Sequence, residues 1–135
     1  MKFYDEQKQQ QAKNVSIDFD GVIHDDDKGW HDGTVYGRII PGSKEAIKEL
    51  AKDYTIIIFS AKARPDRPLV DGKTGVELIR EWLEGHDLMQ YVSDITHEKP
   101  RALCYIDDKA IRFTAWPAAL KAVELREKAH SKKVI

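Results

Sequence analysis

The chain has 135 residues, with 22 Lys and Arg against 23 Asp and Glu and a net charge of -1. That suits one domain able to bury a real core, and it supplies no global basic field that would make nucleic acid an obligatory partner. The single cysteine, Cys104, excludes an internal disulfide, fits a reducing cytoplasm and is expected to act as a small core hydrophobe. No stretch approaches the roughly 18 apolar residues of a membrane span, and residues 1–14 are a polar, Gln-rich lead without a hydrophobic signal core, so no membrane partner is expected.

Val15 to Phe19 reads as a buried strand that brings Asp18 and Asp20 to its C-terminal mouth, where open α/β sheets bind ligands. Carboxylates there cost free energy unless a cation or a reacting group offsets them. Gly21 marks a sharp turn or a close ligand approach. Residues 22–41 form a long connection, predicted to be a small flap with a hairpin at 34–36. In it, Trp30 and Tyr36 are suited to stack on a base or to pin the flap to the body. His24 and His31, and later His97, lack paired metal-ligand spacing and are expected in solvent.

Ser43 is the expected N-cap of a helix with Ala46, Ile47 and Leu50 as its apolar stripe, ending near Asp53. Residues 54–59 are the uninterrupted β-branched and aromatic run of a parallel strand covered on both faces, delivering Ser60. The connection 61–73 holds Lys62, Arg64, Arg67 and Lys73, which read either as a local supply of cations for an anionic substrate or, with Asp66 and Asp71 interspersed, as a solvated loop. Thr74 and Glu77 form a capping box opening a helix with Val76, Ile79 and Leu83 on one face and Gly85 as its stop. A weaker strand at 91–95 precedes Lys99, and a strand at 102–106 runs into a second acidic pair, Asp107 and Asp108. A last helix covers about 114–130, with Trp116, Leu120 and Val123 inward, before a tail at 131–135. This alternation predicts an α/β fold: a three-layer α/β/α sandwich with a mainly parallel, Rossmann-like sheet, one domain over 15–130 and no large cap domain.

In order, Asp18-Phe19-Asp20-Gly21-Val22, Phe59-Ser60, Lys99 and Ile106-Asp107-Asp108 resemble the four motifs of the haloacid dehalogenase-like superfamily of phosphotransferases, across roughly residues 15–112. The resemblance implies a Mg²⁺-dependent hydrolase, a phosphatase of phosphoric monoesters that works through an aspartyl-phosphate on Asp18. Asp20 would protonate the leaving oxygen and later activate water, a task that calls for a raised pKa. By the same resemblance Ser60 and Lys99 would hold the phosphoryl oxygens, and Asp18, Asp20, Asp107 and Asp108 would form the metal site, Asp20 through its backbone carbonyl. Gly21, Lys62 and Arg64 are the expected substrate-binding residues, and Lys62 and Lys109 are the other cations able to take the part of Lys99.

Ile106-Asp107-Asp108-Lys109 also resembles, more weakly, the polynucleotide 3'-phosphatase members. A capless chain implies an open site, suited to bulky phosphoesters or to an oligomer or partner that closes it. The expected substrate is a nucleotide or nucleic-acid terminal phosphate, with a small sugar phosphate as the alternative. A reading of another class is a non-catalytic or phospho-acceptor Mg²⁺-binding signalling module.

Overall fold

The structure, a computed structural model, describes Gln9 and residues 12–134. Four strands, β1 (Asn14–Asp18), β2 (Thr55–Phe59), β3 (Val92–Thr96) and β4 (Cys104–Ile106), form one all-parallel sheet in the order β3-β2-β1-β4. Parallel neighbours need long crossovers. Helix α1 (Ser43–Leu50) lies on the crossover from β1 to β2, and α2 (Gly75–Gly85) on that from β2 to β3. A third helix, α3 (Trp116–Val134), follows β4.

Strand register explains where the core sits. Val15 pairs with Ile56, and Ile17 with Ile58, which pairs in turn with Ile95. The two-residue period of a strand turns these side chains to one face, where they are buried with Ile47 of α1 and Ile79 and Leu83 of α2. Each such side chain contributes about 1.5–3 kcal/mol by leaving water, so this face holds the domain together. The start of α2 is fixed as the sequence predicts: the Glu77 amide donates to the Thr74 hydroxyl at 3.2 Å, and the Thr74 amide donates to the Glu77 carboxylate at 3.1 Å. At α1 the cap position falls on Gly42, and Ser43 is instead the first helical residue, its hydroxyl donating to the Val22 carbonyl at 3.4 Å.

Three expectations about the second half of the chain are corrected. Cys104 is exposed rather than a core residue. Tyr105 and Ile106 beside it are exposed as well, because β4 is the edge of the sheet and pairs with β1 alone. Trp116, at 69 % exposure, Leu120 and Val123 do not point inward. Helical periodicity sets which residues share a face, but a face is buried only if another element covers it, and among its residues of described burial α3 has none that is buried. Helix α3 also runs on to Val134, through most of the expected tail. Residues 34–36 form no hairpin; the connection 22–41 is instead tied down by isolated bridges joining His24 to Asp20 and to Ile39. Among the described residues, no helix is long and apolar enough to cross a membrane.

Candidate functional site

The parallel register of β1 and β4 brings the two acidic pairs to one end of the sheet. Ile17 stands opposite Ile106, so the residues that follow each, Asp18 on one strand and Asp107 and Asp108 after the other, leave the sheet side by side. One carboxylate oxygen from each of Asp18, Asp107 and Asp108 lies within 4.8 Å of the others. Burial, followed by the charges of Asp107 and Asp108, pushes Asp18 up to about 7. Asp107 also accepts the Lys109 amide at 2.7 Å.

Gly21 makes this convergence possible. Its φ of +85° is the left-handed region that glycine enters without strain. A Cβ built there would stand 2.3 Å from the Asp108 carboxylate oxygen, so any larger residue would push Asp108 out of the cluster. Among the described residues, no lysine or arginine forms an ion pair with these three acids. An all-oxygen, uncompensated donor set fits a hard cation such as Mg²⁺, which needs only one or two carboxylates beside water and phosphate oxygens.

Asp20, two residues on, has the opposite surroundings. Its carboxylate takes Lys62 Nζ at 2.6 Å on one oxygen and His24 Nδ1 at 2.9 Å on the other. Burial alone would raise this acid, but the hydrogen bonds from His24 and Lys62, with the lysine charge, outweigh it and hold Asp20 below the usual carboxylate range. The expected raised pKa therefore belongs to Asp18 and not to Asp20. His24 itself is 0 % exposed, which corrects its assignment to solvent. Its ring stacks on Phe19 at 5.1 Å and meets the edges of Trp82 and Tyr36. His31 is exposed as expected, while His97 is half-buried.

Ser60 directly follows β2, buried, and its hydroxyl accepts the Lys62 amide at 3.1 Å as the cap of the short turn Ala61–Ala63. That turn points Lys62 inward and buries it fully against Asp20. A buried lysine cannot steer substrates from the surface; it serves as counter-ion. Lys99 lines the same groove of about 600 Å³ as Asp18, Asp107 and Tyr105, with its ammonium 4.3 Å from the Tyr105 ring centre. No ion pair joins it to Asp18 among the described residues. Arg64 is exposed and holds Asp66 in a two-pronged pair at 3.0 and 3.1 Å. The arginine next to the site is Arg67, which donates to the Lys62 carbonyl at 2.8 Å and stacks on Trp30 at 3.9 Å.

The structure thus gathers Asp18, Asp107 and Asp108, and separately Asp20, His24 and Lys62, while Arg64 stays outside. His24 was not among the sequence candidates. The one signal that could have found it is its position four residues after Asp20, just past the Gly21 turn. Comparison of the chain with protein-family models, with curated proteins and with solved structures finds no match.

Proposed function

We propose that this chain is a Mg²⁺-dependent phosphomonoesterase acting through an aspartyl-phosphate on Asp18. The observation that carries the reading is the meeting of Asp18, Asp107 and Asp108 at adjacent parallel strand ends, with Gly21 cleared to admit Asp108. The motif order that resembles the haloacid dehalogenase-like superfamily supports it independently. With that family goes the finer architecture, a three-layer sandwich around a Rossmann-like sheet without a large cap.

Asp18, Asp107 and Asp108, with the Asp20 backbone carbonyl, would hold Mg²⁺, which when bound would neutralise carboxylate and phosphate charge so that the two anions can approach. Asp18 would attack phosphorus as the P–O bond to the leaving group breaks, the departing oxygen taking a proton from Asp20; water would then break the aspartyl–phosphorus bond, giving its proton to Asp20 and releasing inorganic phosphate. Ser60 has the hydroxyl to hold a phosphoryl oxygen, and Lys99 the charge to balance the phosphate from the groove side. Asp20 starts as an anion, suited to take a proton from the attacking water in the second step. To serve the leaving group as an acid, Asp20 would first have to take up a proton against the hydrogen bonds from His24 and Lys62 that favour its anion.

The substrate class we favour is a nucleotide or nucleic-acid terminal phosphate. An open groove must draw its selectivity from contacts outside the reacting group, and Trp30 with Arg67 offers a stacking and cationic surface next to Lys62 and Asp20. The deciding experiment is turnover of an aryl phosphate with and without Mg²⁺, then kcat/KM for 3'- and 5'-phosphorylated oligonucleotides, mononucleotides and sugar phosphates at two ionic strengths. Mg²⁺-dependent turnover with a salt-sensitive preference for oligonucleotides is expected. No turnover of any of them would reject the enzyme reading and favour a Mg²⁺-binding signalling module. A salt-insensitive preference for a sugar phosphate would change the substrate class alone.

A further inference from the structure

His24 is buried, polar and unused by the chemistry above, and both its ring nitrogens are occupied. Nε2 lies 2.7 Å from the Gly37 amide nitrogen, and Nδ1 lies 2.9 Å from the Asp20 carboxylate. A backbone N–H can only donate, so Nε2 must be the lone-pair nitrogen. The ring proton is then on Nδ1, where it is donated to Asp20. The partners alone fix one neutral tautomer.

The far partner belongs to the flap. The Gly37 peptide is held from both sides, its N–H on His24 and its carbonyl accepting Trp82 Nε1 of α2 at 3.1 Å. Only glycine fits there, since a Cβ would stand 1.8 Å from the Asp25 carbonyl and 2.9 Å from His24 Nε2. Tyr36, the preceding residue, rests its ring edge against His24 and donates its hydroxyl to the Gly29 carbonyl at 2.8 Å, reaching the far side of the flap. Movement of the flap at 36–37 therefore has a direct mechanical path, through one rigid imidazole clamped on Phe19, to one oxygen of Asp20.

We propose that His24 is a positioning residue that couples the flap to Asp20: it holds the Asp20 carboxylate in one orientation through Nδ1–H and releases it when Gly37 leaves Nε2. The coupling stands on the hydrogen bonds alone, and its catalytic consequence rests on the phosphatase reading. A flap that contacts a bulky leaving group thereby sets the acid that serves that leaving group. This is regulation of the site by substrate size, without a cap domain. Orientation of an acid matters most when the departing oxygen needs its proton, hence for alkyl rather than aryl phosphates.

Two measurements test it. Nitrogen-15 NMR of the metal-free protein should show that the neutral His24 ring carries its proton on Nδ1, and Asp20→Asn should shift the Gly37 amide in the wild-type background but not in His24→Leu. An Nε2–H tautomer, or an equal Gly37 shift in both backgrounds, overturns the coupling whether or not the chain is a phosphatase. In turnover with Mg²⁺, His24→Leu should lower kcat for an alkyl phosphate at least about tenfold more than for an aryl phosphate, with KM little changed. His24→Asn, whose amide N–H can still donate to Asp20, should recover most of that difference. Equal losses on both substrates in both variants would reduce His24 to a packing residue, and absence of turnover in the wild type would instead reject the phosphatase reading.

Discussion

Asp18 and Asp20 stand two residues apart at one strand end, yet the first faces two further carboxylates and the second faces a lysine and a histidine. The Asp18 side is a cluster of three carboxylates, and burial together with the charges of Asp107 and Asp108 pushes Asp18 up to about 7. The Asp20 side is a closed network in which each carboxylate oxygen has its donor. One side is a group of acids that could hold a cation, and the other keeps its acid between two donors. The lesson is that spacing in sequence says little about environment: two carboxylates in one short motif are driven in opposite directions by what the fold brings to them.

The contrast predicts different failures on the two sides. The largest is on the Asp18 side: Asp18→Asn should cut Mg²⁺-dependent turnover at least about a hundredfold, a loss of roughly 2.7 kcal/mol or more of transition-state stabilisation, read with an aryl phosphate. Gly21→Ala comes next, because the added methyl occupies the position of the Asp108 carboxylate. It should raise the Mg²⁺ concentration for half-maximal activity at least about tenfold, and cost about 1–3 kcal/mol through its positive φ. Retention of wild-type Mg²⁺ dependence would remove Asp108 from the metal site.

On the Asp20 side, Lys62→Met should destabilise the fold by about 1–3 kcal/mol in denaturant unfolding, since it strips a part-buried carboxylate of its closest cation. This cost should shrink on acidification. The depressed pKa of Asp20 contributes stability that is present above the ordinary carboxylate value and is lost as pH falls through the folded one.

Asp18 has the reverse sign. With its pKa raised from 3.8 to about 7, its contribution is full below pH 3.8 and is lost as pH rises through about 7. In metal-free buffer the thermal midpoint of the wild type should therefore lose ground to that of Asp18→Asn between about pH 4 and 7, and added Mg²⁺ should restore it at the upper end. The smallest expected effect is Asp107→Ala, which relieves like-charge repulsion at Asp18 and should raise the metal-free midpoint by a degree or two at neutral pH. A fall in that midpoint would show that Asp107 serves the fold rather than the cluster.

The strands and the two acidic pairs were legible in the sequence because both are local signals: an apolar β-branched run, then carboxylates where the run stops. The capping box at Thr74 and Glu77 was legible for the same reason. Lys62 was a candidate in the sequence as a substrate-binding cation, but its burial, like that of His24, was not legible, because it is made by partners far along the chain. His24 reaches Gly37 thirteen positions away, and Lys62 reaches Asp20 across forty-two. A polar residue in a polar loop looks solvated until such a partner is known. The opposite error fell on Cys104, Trp116, Leu120 and Val123, whose apolar character predicted burial that no neighbouring element supplies.

The exposed edge at β4 has a consequence for hydrogen exchange. Asp18 ends a strand hydrogen-bonded on both sides, while Asp107 and Asp108 follow three residues that pair with β1 alone. Local opening at β4 should therefore take little free energy, and its amides should exchange long before those of β2 at the centre of the sheet. Mg²⁺ bound between Asp18 and the trailing pair would tie the loose edge to the firm one. Protection at Tyr105 and Ile106, compared with and without Mg²⁺, would then measure how far an ion held by the acids that follow β4 fastens that edge.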